Sequence, residues 1–256
     1  SLSRRQRQMC IRDRPLSNRK DIRNAVEAMN SAKSWSHSTA HLRAQILYYL
    51  AENLSARTVE FTNNLQLLTG RADAQIEVEA SIQRLFFYAA WSDKFDGSAR
   101  SVPLKAIALV MNEAIGNCGV ICDDRYPLLG FISAMAPLFA TGNRSIIIPS
   151  EPFSPIVTDF YQVLDTSDVP PGTVNILTGR HTDLALELAS HMDIESVWSF
   201  STSDVSRDIE KASVSNLKRT WVSNGEKRDW YNEESQGIQF LTNSIENKTI
   251  WIPYGE

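Results

Sequence analysis

Residues 126–179 read YPLLGFISAMAPLFATGNRSIIIPSEPFSPIVTDFYQVLDTSDVPPGTVNILTG. Within this stretch, residues 128–140 are apolar all round, as a buried helix is. The runs SIIIP (145–149) and TVNIL (173–177) are short and rich in β-branched residues, which suits strands. Between them, Ser154-Pro155 reads as an N-cap followed by proline at the first helical position. It opens a helix expected to run to about Asp165. The same rhythm extends outward through GVICD (119–123), SVWSF (196–200) and RTWV (219–222). Helices are expected in the gaps, one capped by Thr182/Asp183 and running to about Ser190, another capped by Ser203 and running through about Ser213. Strand–helix alternation at a spacing of roughly 20–30 residues predicts an α/β fold with a doubly wound, parallel, Rossmann-like sheet and right-handed crossovers. Such a sheet receives ligands beyond the carboxyl ends of its strands, where strand order reverses.

Upstream, the pattern is helical. Asp21–Lys33 reads as a short amphipathic helix. Thr39–Leu68 reads as one long helix whose Leu42, Ile46, Leu50 and Leu54 form a single apolar stripe, with Gly70 as its stop. Asp73–Phe95 is predicted as a third helix with Ile76, Ile82, Leu85, Phe86 and Ala89 facing inward. Downstream, Lys227–Gly237 is polar and loop-like, and Ile238–Leu241 and Lys248–Ile252 are predicted strands.

Composition bounds the function. The chain has 256 residues, a net charge of −4, 43% apolar and 22% charged residues, as an ordinary globular protein has. The acidic balance argues against nucleic acid and a polybasic membrane contact, and no apolar run approaches the ~20 residues of a spanning helix. Cys10, Cys118 and Cys122 fit neither a disulfide framework nor a zinc spacing and point to a reducing, cytoplasmic compartment. His37, His41, His181 and His191 show no metal-ligand spacing. Residues 1–14, SLSRRQRQMCIRDR, are basic and lack an apolar segment; they read as a non-native leader, and the natural N-terminus is expected to be missing. Asn247-Lys248-Thr249 is a formal glycosylation acceptor that, without a secretory signal, is not expected to be used.

The blocks PLLGFISAMAPLFATGN, IIIPSEPFSP and DVPPGTVNILTG closely resemble, in order, the cofactor-domain blocks of aldehyde dehydrogenases, PLLMxxWKLAPALAxGN, VVxKPSExTP and GxPPGVVNIVxG. FFYAAWSDKFDG resembles the family's RYYAGWADKxxG block, which closes its helical layer. SQGIQFLTNSIENKTIWIPYGE resembles its C-terminal tail. The resemblance implies a helical layer over 21–100, a cofactor-type domain over 118–226, and a β-flap formed by Leu104–Asn112 with residues 238–254. In the family such a flap serves oligomerisation.

It also implies where the reactive groups should fall. The family's oxyanion-holding asparagine, in PWNFP, falls on Arg125, which is more suited to pairing with Asp123 or Asp124. Its general-base glutamate, in NLKRVTLELGGK, falls on Ser223, which cannot take a proton as a carboxylate does. Its nucleophilic cysteine belongs to a separate catalytic domain, which the sequence is expected to lack. In the ribose-gripping KPSE block the glutamate is retained as Glu151 and the lysine is Ile148. The pyrophosphate turn FTGSTEVG falls on Ser199–Ser206, with Ser201 and Ser206 in place of the glycines; Thr202 and Ser203 keep hydroxyls that can face a phosphate. No GxGxxG occurs. The expected catalytic residues are therefore none, with Arg125 and Ser223 at degenerate positions, and the cofactor candidates are Glu151, Ser201 and Thr202 toward NAD or NADP.

A cofactor domain joined straight to the tail resembles the degenerate C-terminal unit of family 16 aldehyde dehydrogenases. The implied function is a non-catalytic module supporting a missing N-terminal dehydrogenase unit, and forming a homodimer through the flap. The alternatives are an NAD(P)-dependent oxidoreductase converting aldehyde to carboxylic acid, or a nucleotide sensor without chemistry.

Overall fold

The computed structural model describes residues 16–254; the reading of residues 1–14 as a leader lies outside them. Four helices come first: α1 (Arg19–Ser31), α2 (Ala40–Ala56), α3 (Thr58–Thr69) and α4 (Ala74–Ser92). Strands β1 (Ser98–Ser101) and β2 (Ala106–Ala114) follow. The alternating region then runs β3 (Asn117–Ile121), α5 (Pro127–Ala140), β4 (Arg144–Ile148), α6 (Pro155–Asp159), α7 (Tyr161–Asp165), β5 (Val174–Ile176), α8 (His181–Ser190), β6 (Ser196–Ser199), α9 (Ser203–Ser213) and β7 (Arg219–Val222). The chain closes with α10 (Ile238–Asn243) and β8 (Ile245–Pro253).

The five strands β5-β4-β3-β6-β7 form a parallel sheet in that order. The chain winds outward through β4 and β5, returns to lay β6 on the other side of β3, and winds outward again, as a doubly wound sheet does. Successive strand residues serve opposite faces. Val120, Ile147 and Trp198 pack in one core with α2, α4 and α5. Ile121, Ile146, Ile148 and Val197 pack in the other with α1, α8 and α9. Every residue of α5 is buried, as its almost wholly apolar sequence requires.

Several expected elements differ in detail. The span 39–68 is two helices, because Arg57 turns its N–H to Leu54 and Ser55 carbonyls while the Thr58 hydroxyl donates to Ser55 O. Ile46, Leu50 and Leu54 are buried, but Leu42 is exposed. In α4, Leu85 and Ala89 face inward, while Ile76 and Phe86 are exposed. Gly70 does stop α3, at φ 71°. Ser154 makes no side-chain cap, and the helix it precedes is interrupted at Phe160. Thr202 rather than Ser203 caps α9, and Thr182 and Asp183 lie inside the first turn of α8. Residues 238–241 are helical, not extended. The short helix Ile238–Asn243 turns Phe240 and Leu241, both fully buried, into the core.

The remaining strands make a three-stranded antiparallel sheet, β1-β2-β8. β2 pairs with β8 along its whole length, from Ala106 opposite Pro253 to Ala114 opposite Ile245. Beyond its first residue, β8 is exposed on both faces.

Candidate functional site

The loops leaving the carboxyl ends of the parallel strands are linked to one another. After β3, the Asp123 carboxylate accepts from the Arg125 backbone N–H at 2.8 Å, from Arg125 Nη2 at 3.4 Å and from Trp230 Nε1 at 3.1 Å. Arg125 Nη2 also donates to the Arg228 carbonyl at 2.6 Å, and the Arg125 carbonyl accepts from Arg71 Nη1 at 2.8 Å. Arg125 thus holds the turn together. Asp124 faces the other way and accepts from the Glu151 N–H at 2.9 Å.

After β4 and β5, Glu151 meets α8. Its Oε1 accepts the backbone N–H of His181, so this carboxylate caps the helix. The His181 ring is buried. Its Nε2 lies 2.8 Å from the Pro149 carbonyl and its Nδ1 lies 3.0 Å from Ser201 Oγ. A carbonyl only accepts, so Nε2 carries the hydrogen, and in the neutral ring the Ser201 hydroxyl donates to Nδ1. After β6, Thr202 Oγ1 accepts from the Val205 N–H at 3.4 Å. After β7, Ser223 donates its N–H to Ser199 O at 2.8 Å and its hydroxyl to Ser201 O at 3.4 Å.

Glu151, Ser201, Thr202 and Ser223 therefore come together, with Arg125 joined through Asp124. His181 sits among them, where the sequence reading passed it over as one of four scattered histidines. The signal was its place directly after a predicted strand, on the carboxyl side that also carries Glu151 and Ser201. Beside Ser223 opens a groove of about 710 Å³ lined by Phe200, Trp221, Glu226, Arg228 and Gln239 among others. The Arg228 guanidinium stands 5.4 to 5.8 Å from the ring centroids of Phe200, Trp221, Trp230 and Phe240.

The described thiols are poor nucleophiles. Cys118 and Cys122 are free and buried. Burial pushes both thiols up, helped by Glu195 near Cys118 and by Asp123 and Asp124 near Cys122; a thiol held protonated does not attack. No cluster of metal-ligating side chains occurs among the described residues.

The sheet order and the linked strand-end loops define a doubly wound domain of the dinucleotide-binding type. The chain belongs to the aldehyde dehydrogenase family, whose model matches residues 3–231. It is 31% identical over 207 residues to the omega-crystallin of Enteroctopus dofleini, covering 78% of this chain and 42% of that one. It is 29% identical over 244 residues to an aldehyde dehydrogenase of Davidiella tassiana, covering 92% and 47%. Among solved structures, PnpE from Pseudomonas sp. WBC-3 matches with TM-score 0.77 at 26% identity, over 81% of this chain and 43% of that one. A structure of PnpE in complex with nicotinamide adenine dinucleotide matches at the same TM-score, 0.77. The chain spans a little under half the length of these relatives.

The residues present do not fit a dinucleotide. Such a ligand needs a ribose acceptor and a close approach of phosphate to backbone N–H groups at a helix start. Here Glu151 and Ser201 are bonded to His181, Ile148 is buried and has no donor, and a serine side chain stands on the turn after β6.

Proposed function

We propose that this chain is a non-catalytic aldehyde dehydrogenase-type module, of the kind found as the degenerate second unit of family 16 aldehyde dehydrogenases, working in the cytoplasm in assembly with a catalytic dehydrogenase unit. The observation that carries this reading is the engagement of both degenerate positions in structural bonds. Arg125 ties Asp123 to the Arg228 carbonyl, and Ser223 closes onto Ser201. The burial of Cys118 and Cys122 supports it, as does the exposed edge strand β8, which offers a partner a row of backbone groups. The test is aldehyde-dependent reduction of NAD+ or NADP+ by the purified chain, alone and mixed with an active family member. The module reading expects no turnover above a protein-free control and co-elution with the partner.

The second reading is an NAD(P)-dependent aldehyde oxidoreductase. Family membership and the names of its relatives, such as retinal dehydrogenase 2 of Gallus gallus at 29% identity, favour it. Turnover by the chain alone that survives Cys118→Ser and Cys122→Ser would establish an oxidoreductase with a different nucleophile.

A further inference from the structure

The crevice at the carboxyl ends of the strands, where this fold takes its ligand, already holds a side chain. The His181 imidazole is 3% exposed and spans from the Pro149 carbonyl at the end of β4 to Ser201 Oγ beyond β6. The backbone N–H of the same residue takes the Glu151 carboxylate. One residue thus engages the carboxylate on the ribose side, the hydroxyl on the phosphate side and a strand-end carbonyl. A flat ring with polar atoms on opposite edges suits that span.

We propose that His181 is a built-in plug: it fills the dinucleotide crevice and braces β4 against β6, so the chain keeps its fold without NAD(P) and does not bind it. An entering dinucleotide would have to break the bonds to Glu151 and Ser201 and would leave the Pro149 carbonyl buried without its donor. This inference concerns the crevice alone. Its failure would leave the assembly reading standing, to be judged by particle size.

The experiment uses the 15N-labelled full chain. Long-range proton–nitrogen spectra should show His181 as the Nε2–H tautomer. NAD+ or NADP+ at millimolar concentration should shift neither its signals nor the melting temperature, which any ligand of the native state must raise. His181→Ala should lower the melting temperature by roughly 3–8 °C. Stabilisation of the unaltered chain by micromolar NAD+ or NADP+, or movement of the His181 resonances on titration, overturns the proposal. A His181→Ala chain as stable as its parent removes the bracing role and overturns it too. If that variant does not fold, the spectra of the unaltered chain decide.

Discussion

Arg84 shows how a single side chain fixes the surroundings of the candidate site. It is buried, and among the described residues no carboxylate pairs with it. It donates to Ser133 Oγ at 2.6 Å, to the Trp230 carbonyl at 2.8 Å and to the Ser235 carbonyl. It therefore pins the loop that carries Arg228 and lines the groove. Replacing it with methionine keeps the volume and leaves three acceptors without a donor, so Arg84→Met should cost about 2–3 kcal/mol in urea unfolding. Lys218 is a second cation placed where burial disfavours its charge. Its ammonium donates to the His191 and Ile194 carbonyls, and burial lowers its pKa from 10.5 to about 8. Between those values the unfolded chain binds the proton and the folded one does not, so stability rises with pH across that window. Lys218→Met should flatten that rise in chemical denaturation curves measured at pH 8, 9 and 10; an unchanged slope would assign it to other groups. Neither role is visible in the sequence, where Arg84 and Lys218 are ordinary surface-type residues. Burial depends on what the fold places over them.

At the scale of elements, α5 depends on a residue far from it in sequence. Its first N–H groups need acceptors, and Tyr126, at its N-cap, supplies none from its side chain. Glu77 of α4 supplies one, accepting from Leu128 N at 3.0 Å and Leu129 N at 3.2 Å, while Arg71 Nη1 pairs with its other oxygen at 2.8 Å. Burial raises the Glu77 pKa, against the pull of those three donors. Glu77→Ala strands two helix donors and takes one partner from the Arg71 guanidinium, which Asp73 still holds, and should destabilise the chain by about 2–3 kcal/mol. Glu77→Gln, which keeps an acceptor, should cost less, as paired thermal melts would show. β4 and α5 were legible because an apolar run longer than a turn leaves few alternatives, and β3, β5, β6 and β7 because short β-rich runs recur at regular spacing. The break at Arg57 was not, because no glycine or proline marks it, and Arg57 is held by Glu60 one turn on and by Gln162 across the fold. Residues 238–241 were misread because four residues cannot display a period. Motif order pointed to Glu151, Ser201 and Ser223, and the structure places all three at the strand ends. His181 was not, because its meaning lies in spanning two strand ends that only the folded sheet brings together.

At the scale of the whole molecule, the open question is what covers β8. The Tyr254 N–H bonds to the Lys105 carbonyl, and antiparallel pairing alternates inward and outward groups. Ile252, Ile250 and Lys248 therefore also point their N–H groups at β2, while Trp251, Thr249 and Asn247 point theirs away from the sheet. That outward row is the pairing template an edge strand presents. The face that β2 and β8 share carries Ile107 opposite Ile252 and Leu109 opposite Ile250, with Ile107 and Ile252 nearly half exposed. A partner strand laid along β8 would satisfy the row and extend that apolar face across a second subunit. Thr249→Pro separates assembly from folding, because it deletes an outward donor and leaves the β2–β8 ladder intact. The variant should keep the far-ultraviolet spectrum and melting temperature of its parent at low concentration, while its mass by light scattering falls to that of one chain. Ile107→Pro, on the central strand, should instead disturb the sheet itself and lower the melting temperature. If Thr249→Pro leaves the particle size unchanged, assembly does not run through the β8 edge, and the exposed helical positions Leu42, Ile76 and Phe86 become the next surface to alter.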